Sequence, residues 1–202
     1  VPAKSLQSAP LDDLSIFKEI EKIFGKQIIS GGDLIQSETR MVIPVGPALD
    51  IGLSGGIPEG IWGIVSGPPK YGKTTTLMSF AANCQKPQYG NRNVYYLSIE
   101  GRFEARNLEI DGLIPYAPRF NLIRSRKDKI LTAEDFLNIA EIALRGDPGC
   151  LVIIDSYSSL LTSSETEKGE VSGSIRSDAP KLLSNFSKRM GQIVPLNKCI
   201  VM

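Results

Sequence analysis

The chain has 202 residues, of which 42% are hydrophobic and 22% are charged, which is typical of one sizeable globular α/β domain. Lys and Arg (23) nearly balance Asp and Glu (22), so no overall charge indicates a nucleic-acid or membrane partner, and such a partner needs a local patch. The sequence contains no His and only three scattered Cys, which excludes Ser-His-Asp and Cys-His catalysis, His-ligated zinc and a disulfide framework.

The first predicted element is an amphipathic helix over 11–24. Its apolar residues recur at spacings of three and four: Leu14, Phe17, Ile20 and Phe24. Gly25 is expected to end the helix. A polar stretch with Gly31-Gly32-Asp33 follows, and we interpret it as a linker. We therefore assign 1–30 to an N-terminal segment and 31–202 to a second domain.

Strands and helices alternate through the rest of the chain. Short apolar runs bounded by Gly, Pro or charge predict strands at 61–65, 94–99, 120–123, 150–154 and 199–202. Helical spacing predicts helices at 74–84, 103–110, 132–145 and 179–190. Thr132 and Asp135 form a capping signal at the third of these helices. The alternation predicts an α/β fold in which helices flank a mostly parallel central sheet.

The segment Gly67-Pro68-Pro69-Lys70-Tyr71-Gly72-Lys73-Thr74 matches the phosphate-loop pattern G-x-x-x-x-G-K-[ST]. Such a loop surrounds a phosphate with backbone N–H groups and directs a helix N-terminus at the anion. Lys73 is expected to reach the β- and γ-phosphates, and the Thr74 hydroxyl to ligate Mg²⁺. Thr75 completes the predicted nucleotide-binding segment. A strand before the loop and a helix after it disfavour a chance match.

Two predicted strands end in a carboxylate. The apolar run at 151–154 is followed by Asp155, which is where an Mg²⁺ site requires an acid beside Thr74. The run at 94–99 is followed by Glu100, where a carboxylate orients a water for attack on the γ-phosphate. From spacing alone, a solvated acid at a strand end explains Glu100 equally well.

The order of these motifs resembles the RecA family of recombinases, of bacterial or phage type, over roughly residues 11–202. The resemblance rests on Ile20 to Lys26, on Leu49-Asp50-Ile51-Gly52-Leu53-Ser54-Gly55-Gly56-Ile57-Pro58-Glu59-Gly60, on the phosphate loop, on Ile99-Glu100, on Ile153-Ile154-Asp155-Ser156-Tyr157 and on the helix from Lys181 to Met190. It implies a RecA-like ATPase core over 31–202 that is incomplete at its C-terminus, preceded by an oligomerisation helix. It also implies that the last strand lies between the phosphate-loop strand and the Asp155 strand.

The resemblance implies a cytoplasmic, DNA-dependent ATPase that acts in recombination and repair. Such a protein binds ATP and Mg²⁺ between protomers of a helical filament or ring, coats single-stranded DNA and pairs it with homologous duplex; no membrane is involved. Lys73 and Glu100 would be catalytic, and Thr74 and Asp155 would hold the metal. The resemblance also implies an aromatic residue that stacks on adenine shortly after Glu100; Phe103 is close to this position, but the register over 103–108 leaves its identity open. A fragment of the core is expected to have little activity alone.

The segment after the Asp155 strand is the predicted DNA-binding region. Its basic residues are Lys168, Arg176, Lys181, Lys188 and Arg189, against Glu170 and Asp178. The resemblance implies a first DNA loop over 163–178 and DNA contacts from Arg176, Lys181 and Lys188; a solvated helix face is the alternative. A second basic cluster matches no DNA role in the family and is interpreted as a surface loop: Arg119, Arg124, Arg126, Lys127 and Lys129.

Three other functions are alternatives to a recombinase. An ATPase of the KaiC or replicative-helicase type shares the Gly55-Gly56 stretch before the phosphate loop, the phosphate loop itself and the acid at Glu100. A non-catalytic recombination mediator would bind nucleotide without turnover. A small-molecule kinase would need a mobile lid that is rich in arginine. Residues 119–129 are a poor candidate for such a lid, because they follow a strand too closely.

Overall fold

The computed structural model describes residues 11–25, 39–162 and 179–202. The chain divides into two compact units, Val1–Thr39 and Arg40–Met202. In the first unit, helix α1 (Leu11–Phe24) forms as predicted. Four of its apolar side chains are exposed: Ile16, Ile20, Ile23 and Phe24. The predicted linker around residues 31–33 lies outside the described residues.

The second unit begins with a small antiparallel sheet that the sequence pattern does not predict. Strand β1 (Val42–Ile43) pairs with β2 (Ile57–Pro58), and helix α2 (Pro47–Gly52) lies between them in the chain. Gly56 has a φ of 137°, and a Cβ there would lie 2.1 Å from the carbonyl oxygen of Ile43. The close approach of two backbone segments therefore explains this glycine.

Five parallel strands form the main sheet of the second unit. They are β3 (Ile61–Trp62), β4 (Val94–Ser98), β5 (Phe120–Arg124), β6 (Leu151–Asp155) and β7 (Ile200–Val201). Their order across the sheet is β3-β7-β6-β4-β5, and every pairing is parallel. Strand β7 thus lies between β3 and β6, as expected. The sheet confirms the predicted α/β fold and brings the carboxyl ends of all five strands to one edge.

Helices pack on both faces of this sheet. They are α3 (Lys73–Cys84), α4 (Ala133–Gly146), α5 (Ala179–Met190) and the short α6 (Ile193–Leu196). In β6, Val152 and Ile154 pack with α4 and α5, whereas the alternate residues Leu151 and Ile153 pack with α3. Among the residues that the structure describes, no helix has the length and apolar content needed to cross a membrane.

Local signals account for where α4 begins. The Thr132 hydroxyl accepts a hydrogen bond from the backbone N–H of Asp135 at 3.3 Å, and the Asp135 carboxylate accepts one from the N–H of Thr132 at 3.0 Å. This reciprocal pair is the predicted capping box, and it satisfies two N–H groups that the helix leaves without an internal partner.

Several predicted elements are shorter than their sequence patterns indicate, and one helix and one strand differ most. The helix predicted over 103–110 is wrong, because only a 3-10 helix forms at Ala105–Leu108. At its start, the side chain of Glu104 accepts from the backbone N–H of Asn107, and the side chain of Asn107 accepts from the backbone N–H of Glu104. Strand β3 ends at Trp62 instead of residue 65. Beyond it Gly63 still donates to the carbonyl of Val201 at 2.8 Å, and the chain then leaves the sheet toward the phosphate loop.

A buried ion pair ties together the amino-terminal ends of the strands. Arg92, just before β4, pairs with Glu59, just after β2, and their side chains are 5% and 6% exposed. The guanidinium also donates to three backbone carbonyls, those of Tyr89, Gly149 and Lys198. Burial by itself raises the pKa of Glu59. Hydrogen bonds from Arg92 and the backbone of Met41, together with the positive charges of Arg92 and Lys198, outweigh burial and lower the pKa below the ordinary 4.5.

Candidate nucleotide site

The phosphate loop connects β3 to α3, as its sequence predicts. Gly72 is the N-cap of α3 and has a φ of 81°, in the left-handed region that glycine adopts at little cost. Helix α3 begins at Lys73, so its first N–H groups are directed toward the loop. Residues 67–72, including Pro69, Lys70 and Tyr71, are exposed, as is Thr75 in the first turn of the helix.

The Lys73 side chain folds back over the loop. Its ammonium group donates to the carbonyl oxygen of Gly67 at 2.8 Å and to that of Pro68 at 2.9 Å. These two bonds keep the positive charge next to the backbone of the loop, where the sequence pattern requires it for phosphate binding.

The phosphate loop and the Asp155 strand meet at a hydrogen bond. The Thr74 hydroxyl donates to Asp155 Oδ2 at 3.2 Å, across a separation of 81 residues. Thr74 lies in the first turn of α3, and Asp155 is the last residue of β6. The structure therefore brings together the two residues for which a metal role is expected.

Tyr96 is a member of the site that sequence reasoning missed. Its hydroxyl donates to Asp155 Oδ2, the atom that also accepts from Thr74. Burial, reinforced by the hydrogen bond to Asp155 and by its charge, raises the pKa of Tyr96 well above the usual range, so the hydroxyl stays a donor at physiological pH. One signal was available, because a tyrosine in a strand buried on both faces needs a partner for its hydroxyl.

The oxygen atoms of Thr74 and Asp155 fit Mg²⁺. A hydroxyl and a carboxylate are the hard donors that this ion prefers, and it is usually held by one or two protein groups together with phosphates and water. In the described ranges no group of three or more His, Cys, Asp or Glu residues is placed to hold a metal ion. The donor set therefore suits an ion that is shared with a phosphate ligand.

Glu100 is held at the same edge of the sheet. It follows β4, which pairs directly with β6, and its backbone N–H lies 3.4 Å from the carbonyl oxygen of Asp155. Its Oε1 accepts hydrogen bonds from Ser156 at 2.7 Å and Ser159 at 3.3 Å, whereas Oε2 lies 3.8 Å from Nε of Arg102. The loop after β6 therefore orients the Glu100 carboxylate.

Phe103 does not fit the adenine-stacking role considered for it. The residue is 8% exposed, and its ring centroid lies 4.4 Å from that of Tyr96 and 6.1 Å from that of Phe120. A ring that packs against two others in the core has no free face for a base. Phe103 was near the expected position in sequence, but nearness to Glu100 in sequence does not determine which way a side chain points.

The expected DNA-binding residues are only partly described. Lys181 and Lys188 are exposed on α5, and their separation of seven residues places them on one side of the helix. Arg189 forms an ion pair at 2.7 Å with Glu141 of α4, so its charge is already partnered. Arg176 and the rest of the predicted DNA loop lie outside the described residues.

Comparison with known proteins identifies the family. A family model described as the RecA N-terminal domain matches residues 13–202. The chain belongs to the RecA family. RecA proteins that it resembles include those of Sulfurimonas denitrificans (29% identical over 194 residues), Clostridium botulinum (30% over 192) and Acinetobacter baumannii (28% over 204). These matches cover 91%, 90% and 98% of the chain, but 51%, 49% and 52% of the relatives, so the chain spans about half their length.

Family membership confirms the resemblance, and the structure separates two parts of the RecA-like motif. In the stretch before the phosphate loop, Gly56 permits a close backbone contact and Glu59 holds a buried arginine. The loop itself carries Lys73 and Thr74, whose partners are atoms of the candidate site. In this member of the RecA family, the first stretch therefore supports the fold and the second forms the candidate site.

Proposed function

We propose that the chain is the nucleotide-binding core of a DNA-dependent ATPase of the RecA recombinase type. It binds ATP with Mg²⁺ at the phosphate loop, assembles into a filament or ring on single-stranded DNA, and promotes pairing and strand exchange with homologous duplex. The observation that carries the proposal is the hydrogen bond between Thr74 and Asp155, with Glu100 following the adjacent strand.

Residues 67–75 bind the phosphates. The N–H groups of the loop and of the first turn of α3 donate to phosphate oxygens. Lys73 exchanges the neutral carbonyls of Gly67 and Pro68 for charged oxygens, and such charge-assisted bonds are roughly twice as strong as neutral ones. Thr74 and Asp155 would hold Mg²⁺, which supplies neutralisation of the charge on the transferred phosphate when it is bound.

Glu100 acts as the general base. It accepts a proton from the water that attacks the γ-phosphate. Ser156 and Ser159 both donate to Oε1, which supports Oε2 as the atom that takes the proton. The hydroxyl pair also prevents the carboxylate from rotating freely, so the base is positioned before the substrate water arrives.

Two further regions support assembly on DNA. Arg176, Lys181 and Lys188 are proposed to contact phosphates of a single strand, and the two lysines are exposed on one side of α5. Helix α1 is proposed to dock on a neighbouring protomer, which is supported by its exposed Ile16 and Ile20 side chains.

DNA-stimulated phosphate release tests the proposed function. Glu100→Gln keeps the size of the side chain and an acceptor for Ser156, so ATP binding is expected to persist while turnover falls about 10²–10⁴-fold. Glu104→Gln is the control, because Glu104 is an exposed acid that pairs with Arg106 at 2.8 Å. Equal turnover in wild type and Glu100→Gln contradicts the assigned base. The measurement is made on the full-length protein, because the 202-residue chain alone is expected to have little activity. A full-length wild-type protein without DNA-stimulated turnover contradicts the ATPase.

A further inference from the structure

An open cavity of about 780 Å³ lies at the carboxyl end of β5. It is lined by Gly101 and by residues 122–127. Strand β5 is an edge of the sheet, so the cavity opens beside the outermost strand. No residue of the phosphate loop or of α5 lines it. The cavity therefore shares no lining residue with the sites proposed for ATP and for single-stranded DNA, although Gly101 directly follows Glu100 in the chain.

Backbone hydrogen bonds hold the basic wall of this cavity in a tight turn. The N–H of Arg126 donates to the carbonyl of Lys129 at 2.9 Å, and the N–H of Lys129 donates to the carbonyl of Arg126 at 3.1 Å. The Ser125 hydroxyl accepts from the N–H of Leu131 at 2.9 Å. The segment predicted as a surface loop is thus a closed turn that presents its side chains from a defined backbone.

The charge of this turn is not balanced by acids. Residues 124–129 contain Arg124, Arg126, Lys127 and Lys129 and one acid, Asp128. In the part of the chain that the structure describes, the three cations that line the cavity have no ion-pair partner, whereas other exposed arginines do: Arg106, Arg145 and Arg189. Unpaired cations along one wall of a concave surface raise the local concentration of anions.

The remaining lining indicates what kind of anion fits. Leu122 is 37% exposed and Ile123 is half-buried, so an aliphatic surface lies next to the cations. Guanidinium groups donate two parallel hydrogen bonds to phosphate, and an aliphatic surface receives a sugar or a base. Small-molecule sites usually measure about 300–1,000 Å³, and this cavity falls within that range and is larger than an isolated phosphate needs.

We propose that this cavity binds a nucleotide unit, with its phosphate on Arg124, Arg126 and Lys127 and its sugar or base against Leu122 and Ile123. Either a nucleic-acid strand or a free nucleotide supplies such a unit, because both contain the same phosphate, sugar and base. The proposal goes beyond the ATPase function and does not rest on it, because none of these residues takes part in the phosphate loop, the Asp155 site or the α5 contacts.

Site-resolved amide spectra of the isotope-labelled protein test the proposal. Three probes are titrated separately: hexathymidylate, thymidine monophosphate and inorganic phosphate. Saturable shifts at Gly101, Leu122 and Ser125 are expected with hexathymidylate, and shifts with the monophosphate as well identify free nucleotide as a second source. The proposal is overturned if inorganic phosphate shifts these amides with equal affinity, or if no probe shifts them.

A charge-matched pair of variants separates the cavity from net charge. Arg126→Gln with Lys127→Gln removes two lining cations and retains the backbone bonds of the turn. We expect the affinity seen at these amides to fall at least tenfold. Arg106→Gln with Lys129→Gln removes the same charge from residues that do not line the cavity, and affinity should stay within about twofold.

Equal losses in the two double variants overturn the proposal, because net charge alone would then explain binding. ADP affinity, followed at the Gly72 and Thr74 amides, is expected to be unchanged in both variants. This readout distinguishes failure of the cavity from failure of the phosphate loop.

Discussion

The hydroxyl of Tyr96 and the carboxylate of Asp155 are joined by a hydrogen bond that anchors the acid of the candidate metal site to the neighbouring strand. Tyr96 is 1% exposed, so water does not compete for this bond. Thr74 donates to the same oxygen from α3. The orientation of Asp155 therefore depends on a core residue that belongs to no phosphate-loop motif.

Tyr96→Phe is expected to weaken the Mg²⁺ dependence of nucleotide binding. The substitution removes the hydroxyl and keeps the ring contacts with Phe103 and Phe120. The Mg²⁺ concentration for half-maximal binding of a fluorescent ADP should rise about fivefold, the equivalent of one hydrogen bond of about 1 kcal/mol. ADP affinity in the presence of a chelator should not change.

Tyr95→Phe is the matched control for this variant. Its hydroxyl donates to Asp147 at 2.9 Å, outside the site, and its removal should leave the Mg²⁺ dependence as in wild type. If both variants show the wild-type Mg²⁺ dependence, Tyr96 contributes packing alone.

Lys73→Ala is expected to weaken nucleotide binding by roughly 2–4 kcal/mol, because a charge-assisted contact to phosphate is lost from a partly desolvated site. Calorimetry with Mg-ADP measures the loss. Lys70→Ala is the control from the same loop, and it should cost no more than about 1 kcal/mol because Lys70 is exposed. Equal losses in the two variants contradict a special role for Lys73.

Glu59 is expected to make stability depend on pH in the acid range. Its folded-state pKa lies below the ordinary value of 4.5, because burial is outweighed by hydrogen bonds from Arg92 and Met41 together with the charges of Arg92 and Lys198. The stabilisation is fully present above the unfolded-state pKa and is lost as pH falls through the folded-state pKa.

Urea unfolding of wild type and Glu59→Gln measures this contribution. At neutral pH the variant should be less stable by about 3 kcal/mol, since the charge of Arg92 stays buried without its partner. The difference should narrow as the pH falls below the ordinary pKa of 4.5, and it should be lost as the pH falls through the lower folded-state pKa, where the wild-type carboxyl also becomes neutral. A difference that stays constant down to about pH 3 would show that the Glu59 charge does not stabilise the fold.

Lys181 and Lys188 are expected to contribute to the salt dependence of binding to single-stranded DNA. Replacing both by Ala should reduce the slope of log affinity against log salt by about one to two units, at ~0.7 per phosphate contact. ATP binding should persist. Arg106→Ala with Arg145→Ala is the charge-matched control, since both arginines are already paired with acids. An unchanged slope in the lysine variant would show that Lys181 and Lys188 belong to a solvated helix face and do not contact DNA.

The exposed isoleucines of α1 are expected to drive assembly. Replacing Ile16, Ile20 and Ile23 by Ser should raise the protein concentration needed for assembly on single-stranded DNA at least about tenfold, because burying one isoleucine contributes about 1.5–3 kcal/mol. Light scattering measures the assembly. Glu19→Ser with Lys22→Ser changes polar residues of the same helix and should leave assembly unchanged. Equal assembly in all three proteins contradicts docking through α1.

Much of the fold and half of the site follow from local patterns in the sequence. Alternating strand and helix signals predict the parallel sheet, the Thr132–Asp135 capping box forms as its spacing indicates, and the phosphate loop stands between a strand and a helix. Thr74 and Asp155 meet because parallel strands end at one edge of the sheet. Residue type and short-range spacing predict the strands, the cap and the loop, since these features are local in the chain. The contact between Thr74 and Asp155 spans 81 residues and was expected because both residues were assigned to one metal site.

The tertiary structure alone decided several other contacts between elements. The Phe103 side chain points into the core, the Tyr96 hydroxyl forms a hydrogen bond with Asp155, and strand β1 pairs with β2. It also placed Gly101 beside the basic turn after β5 to form a cavity. These contacts depend on strand order and register, which set the neighbours of a side chain across the sheet, and one sequence read by spacing does not contain that information.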